Sequence, residues 1–125
     1  PISGCEADIT FNDSSLSDFE LLTIGAVGGV VGYVRNDTEI KGCSVDAVIG
    51  MPNTTISQCG ICTAGASTIE KTNPISVTIS DTKVRGSITY KGLTEPVTID
   101  GSNFNNYLYS FGSCNAVVNV TYWNK

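Results

Sequence analysis

The chain has 125 residues, a net charge of −5 and no histidine. That length suits one domain spanning 1–125, able to bury about two-thirds of its unfolded surface. The missing imidazole removes Ser-His-Asp and Cys-His catalysis. The seven basic residues, Arg35, Lys41, Lys71, Lys83, Arg85, Lys91 and Lys125, are scattered, which predicts no nucleic-acid partner and no pull toward an anionic membrane.

In chain order, Cys5, Ala7, Ile9 and Phe11 alternate with Glu6, Asp8 and Thr10, which predicts a half-buried strand. The run Asn12-Asp13-Ser14-Ser15 predicts a turn. Ser17-Asp18-Phe19-Glu20 has the form of a capping box and predicts at most one short helical turn. The uncharged stretch 21–34, LLTIGAVGGVVGYV, is the most continuously apolar part of the chain. It is too short to span a bilayer, which takes roughly 20 residues. Its four glycines disfavour a helix and its valines favour a strand, so it is expected at the centre of the core. Membrane insertion, phosphate binding and displacement by a partner's strand are lesser readings of it; its glycine spacing matches no phosphate loop. Asn36-Asp37 predicts a turn and 45–49 a strand, closed by Gly50 and Pro52. Residues 54–73 read as a long irregular loop. Ile75, Val77 and Ile79 then alternate with polar residues, as do Val84, Gly86, Ile88 and Tyr90, and Asp81-Thr82-Lys83 between them predicts a hairpin. Short strands are expected at 96–99, before the Asp100-Gly101 turn, at 107–111 and at 116–123. No internal repeat stands out.

Eight or nine short strands separated by turn signals predict an all-β fold, a compact antiparallel β-sandwich or β-barrel stapled by two disulfides. Five cysteines allow two bridges and one leftover thiol. Cys5–Cys114 would tie the first strand to the last, and Cys43 would bond Cys59 or Cys62. The C-G-I-C run at 59–62 resembles a thioredoxin-type dithiol over four residues, without the βαβ context that motif needs. A zinc site from Cys43, Cys59, Cys62 and Cys114 lacks paired spacing. No metal or cofactor is expected.

The start PISGCEAD has the look of a mature product after removal of a targeting peptide. Cysteine usage, together with Asn-x-Ser/Thr at Asn12, Asn36, Asn53 and Asn119, predicts a secreted, glycosylated protein. Carboxylates at Glu6, Asp8, Asp13, Asp18 and Glu20 could serve a hydrolase or a weak calcium site, but read more simply as a solvated acidic edge. Tyr107, Tyr109 and Phe111 share one parity beside Asn105 and Asn106. Tyr107, Tyr109, Asn105 and Asn106 are the candidate binding residues, since aromatics mixed with asparagine suit carbohydrate or protein recognition; the competing reading places the rings in the core.

In its PISGC start, scattered cysteines and asparagine-rich β pattern, the chain resembles the small secreted β-proteins of fungi that act as effectors and elicitors. The resemblance covers size and composition and implies a protein that acts by being bound or perceived. The expected function is therefore secreted, non-enzymatic recognition of an extracellular protein or carbohydrate, by a monomer or disulfide-linked dimer without stable membrane insertion. The alternatives are a self-associating coat protein and a carboxylate-dependent hydrolase.

Overall fold

Alternating apolar residues need one buried face, and in this chain the face is made by stacking successive passes of the backbone on one another. The computed structural model describes residues 2–17, 27–34, 36–53, 59–66, 75–90, 93, 95–108 and 114–125. The strands are β1 (Ile2–Ser3), β2 (Glu6–Asn12), β3 (Val27–Gly28), β4 (Val31–Val34), β5 (Thr38–Lys41), β6 (Ser44–Met51), β7 (Cys59–Gly60), β8 (Thr63–Ala66), β9 (Ile75–Tyr90), β10 (Val97–Ile99) and β11 (Cys114–Tyr122). The helical content among the described residues is two single 3-10 turns, Asp13–Ser15 and Phe104–Asn106.

Nearly all the pairing is parallel. β1, β5, β9 and β11 lie side by side through Ile2, Ile40, Ile79 and Val118, which are 38, 39 and 39 residues apart in the chain. β2, β6, the second half of β9 and the end of β11 repeat the same interval through Ala7, Val45, Val84 and Tyr122. On the far side β3 pairs β7 and β4 pairs β8, again parallel. The third pass joins them there, where Ile61 and Cys62 donate their N–H groups to the carbonyls of Tyr107 and Leu108 at 2.9 and 3.0 Å. Each pass thus returns to its starting edge one strand spacing further on, about 4.8 Å, as in a parallel β-solenoid. The main sheet curls into a half-barrel.

A corner is stacked in the first three passes. Gly4, Gly42 and Asp81 have φ of 62°, 66° and 50°. Gly4 N–H donates to the Lys41 carbonyl and Gly42 N–H to the Ser80 carbonyl, both at 3.0 Å, so the three corners are superposed. The residue after the corner bonds back to the chain: Cys43 Sγ lies 3.6 Å from the Lys41 carbonyl and Thr82 Oγ1 lies 2.9 Å from that of Ser80. The left-handed step also flips the side-chain parity. Ile40 is buried before the corner and Val45, Ala47, Ile49 and Met51 after it; Ile79 before and Val84 and Ile88 after.

This arrangement corrects several expectations. The fold is all-β but not an antiparallel sandwich or barrel, because β10 alone among the described strands pairs antiparallel, with β9. The segment Asp81-Thr82-Lys83 is no hairpin: Asp81 takes the left-handed conformation and β9 bends onward. An internal repeat exists, ISGCEAD at 2–8, IKGCSVD at 40–46 and ISDTKVR at 79–85. The core centres on β5, β6 and β9 rather than on 21–34, where β3 and β4 form short flanking strands and residues 21–26 lie outside the described set. The segment 54–73 contains β7 and β8; the strand expected at 107–111 runs into residues 109–113, which are not described.

The two disulfides are also overturned. Cys5, Cys43 and Cys62 are free thiols, so neither Cys5–Cys114 nor Cys43 with Cys59 or Cys62 is formed. Cys5 belongs to the first pass and Cys114 to the fourth, and three strand spacings of about 4.8 Å exceed the roughly 7 Å Cα separation a bridge allows. The side chains of Cys59 and Cys114 are not among those described.

The stacked corner makes a stability prediction. Gly42→Ala and Asp81→Val should each cost about 1–2 kcal/mol, the price of a left-handed residue with Cβ or a branched side chain. Space is not the reason, since a Cβ on Gly42 would meet nothing nearer than Gly4 N at 3.9 Å. Gly101→Ala, in an exposed turn, should stay within about 0.5 kcal/mol of the parent. Urea unfolding checks this; wild-type stability in Gly42→Ala would contradict it.

Candidate binding face

Since the inner faces of β2, β6 and β9 fill the core, their intervening side chains form rows across the outside. Asp8, Asp46 and Arg85 make one row and Glu6, Ser44, Lys83 and Thr121 another, each member in parallel register with the next. β11 ends at Tyr122, and Trp123 N–H donates to the Val84 carbonyl at 2.7 Å. That bond carries the last three residues across the outer rows.

Trp123 is half-exposed there. Lys83 Nζ lies 4.6 Å from the centre of its ring and Lys125 Nζ 5.0 Å. Both distances suit cation–π attraction, worth about 0.5–1 kcal/mol at an exposed site. Asp46 Oδ2 receives a long hydrogen bond from Lys125 Nζ at 3.5 Å and lies 3.5 Å from Arg85 Nε. The second contact is an ion pair without the alignment of a hydrogen bond, since the buried Arg85 N–H has no acceptor. Two of the seven basic residues therefore converge on one indole, and Asp46 pairs with one of them, Lys125, and with Arg85 beside it. Both lysines are exposed.

An indole beside fixed cations can stack against a ring and pair with an anionic group. A second, shallow depression of about 330 Å³ lies over β5 and β9, lined by Asp37, Thr38, Glu39, Ser76 and Thr78; it carries acids and hydroxyls but no ring.

The structure distributes the residues singled out from sequence. Asn105 and Asn106 are exposed in the 3-10 turn Phe104–Asn106. Tyr107 is half-buried and packs against the core. Tyr109 lies outside the described residues, so the four are not shown as one site. Among the carboxylates, Glu6 and Asp8 are exposed on β2, whereas Asp13 is buried and accepts from Asn53 N–H and Nδ2 at 2.9 and 3.1 Å. Asp18 and Glu20 are not described. The sequon residues Asn12, Asn36, Asn53 and Asn119 are all exposed. What sequence reading missed is the Trp123 cluster. The basic residues look scattered because their neighbours come from different passes, and only the repeat interval would have aligned Asp46 with Arg85.

Comparison with protein-family models, curated proteins and solved structures finds no match for the chain. No helix among the described residues is long and apolar enough to cross a membrane.

The buried thiols give a prediction of their own. Burial, and next the neighbouring Cys43 thiol, push Cys62 up to about 12. The neutral thiol is therefore favoured by folding. Its contribution to stability is complete at neutral pH and is lost as pH rises from about 9, the ordinary value, toward about 12. At pH 8, native protein treated with iodoacetamide should be alkylated at half-buried Cys5 well before buried Cys43 and Cys62, as read by peptide mass spectrometry. Equal labelling of Cys62 in native and unfolded protein would contradict this.

Proposed function

We propose that the protein is a secreted, non-catalytic recognition protein that holds an acidic polysaccharide on the outer face around Trp123. The observation that carries this reading is the gathering of Lys83 and Lys125 at one half-exposed indole on a chain of net charge −5. A sugar ring can pack its C–H face on indole, and a uronate carboxylate can pair with the ammonium groups that lie over the ring. The stacked strands keep the side chains at fixed spacing, so little ordering cost falls on binding. Support for secretion comes from four sequons on exposed asparagines. The likeness to fungal effector and elicitor proteins implies a protein that acts by being bound or perceived, which fits a non-catalytic reading.

Affinity electrophoresis in gels containing polygalacturonate, a neutral glucan or single-stranded DNA tests it. Retardation should occur in polygalacturonate, weaken with salt, and fall at least tenfold in affinity, about 1.4 kcal/mol, in Trp123→Ala and in the Lys83→Gln/Lys125→Gln pair. Retardation that survives both variants, or that occurs only with DNA, would overturn the proposal.

A further inference from the structure

The first pass of the coil ends in an open edge. β2 pairs with β6 on one side, and Glu6 to Phe11 pair with no further strand among the described residues. Edge strands are normally blunted by charged side chains, lysine above all, by proline or by a bulge; β2 reads EADITFN and has two acids but no lysine, proline or bulge. Its inner side chains are incompletely covered. Ala7, Ile9 and Phe11 are half-buried, while their register partners Val45, Ala47 and Ile49 are at most 1% exposed. At the opposite end the last parallel strand, β11, carries a register shift between Val118 and Val120, and β10 lies antiparallel on the end of β9.

We propose that β2 is a dimerisation edge, at which two copies of the chain pair antiparallel about a two-fold axis at Ile9. The register follows from the backbone. Ser44 N–H donates to the Cys5 carbonyl at 2.9 Å, so odd-numbered residues of β2 turn their peptide groups toward β6, and Glu6, Asp8 and Thr10 turn theirs outward. An antiparallel partner must therefore match even-numbered residues with even-numbered ones. Pairing about Ile9 overlaps all of β2. It sets Glu6 against Asn12 of the second copy, Asp8 against Thr10, small Ala7 against large Phe11, and Ile9 against itself. Every acid faces a neutral polar residue, and the apolar side chains share the inner face. Pairing about Asp8 would oppose two aspartates, and pairing about Thr10 would shorten the overlap. The strand is thus complementary to itself in one register, as an isologous interface requires.

Sedimentation equilibrium of the full chain with reductant, over a wide range of concentration, tests the proposal. The parent should be a dimer in equilibrium with monomer. Thr10→Asp sets a new carboxylate against Asp8 twice per dimer and should weaken association about tenfold. Thr10→Lys should tighten it. Asp8→Thr combined with Thr10→Asp exchanges the two partners and should restore the parent affinity. These side chains are exposed, and urea unfolding of each variant should match the parent. A monomer at every concentration would overturn the proposal. So would weaker association in Thr10→Lys, which marks pairing about Thr10, failure of the exchange to rescue, or growth beyond dimers, which marks head-to-tail stacking.

Discussion

At the same point of each of the first three passes the backbone steps into left-handed space, at Gly4, Gly42 and Asp81, and the alignment of the passes depends on these steps being superposed. A strand that ran straight through would keep one side-chain parity and one direction. The left-handed residue shifts the parity by one and bends the chain toward the interior, so that apolar residues both before and after the corner face the same core. Glycine supplies the conformation without steric cost in the first two passes, and aspartate tolerates it in the third. Corner-to-corner hydrogen bonds from Gly4 to Lys41 and from Gly42 to Ser80 then lock the passes in register. The small polar residue that follows, Cys43 or Thr82, takes up the carbonyl left by the turn.

Register is what creates the outer face. Because the repeat holds at 38 or 39 residues, side chains far apart in the chain stand in rows about 4.8 Å apart. Asp46 meets Arg85 in this way, and the residues after β11 bring Lys125 to Asp46 and Trp123 to Lys83. The same regularity explains why the middle of the coil is dry while its first strand is half-covered. Interior passes have a neighbour on each side; β2 has one.

The strands themselves were largely legible. The alternation of Cys5 to Phe11, of Ile75 to Ile79 and of Val84 to Tyr90 marks real strands with their apolar side inward. Direction was not legible. Parallel sheets are usually covered on both faces and read as continuous apolar runs, but a coil buries one face only and so shows the alternation expected of antiparallel hairpins. Two alternating runs of opposite parity separated by Asp81-Thr82-Lys83 fit a hairpin and a left-handed corner equally well. The signal that separates them was present in ISGCEAD, IKGCSVD and ISDTKVR, and comparing the chain with itself at that offset would have exposed it. The apolar stretch 21–34 misled for a related reason. Continuous hydrophobicity marks burial, not centrality, and β3 and β4 flank a core built from shorter alternating segments. Cysteine number suggested staples, but Cys5 and Cys43 occupy the equivalent position beside the corner in consecutive passes. The candidate site was less legible than the fold, because Trp123, Lys83 and Lys125 acquire a common meaning only once the passes are aligned.

The central claim is the parallel register, and through-space NMR contacts between backbone protons test it most directly. The account predicts contacts linking Ile2 to Ile40, Ile40 to Ile79 and Ile79 to Val118, with the sequential offsets of parallel pairing. Close Hα–Hα contacts between residues 75–80 and 83–88, the mark of an antiparallel hairpin folded at Asp81, would contradict it.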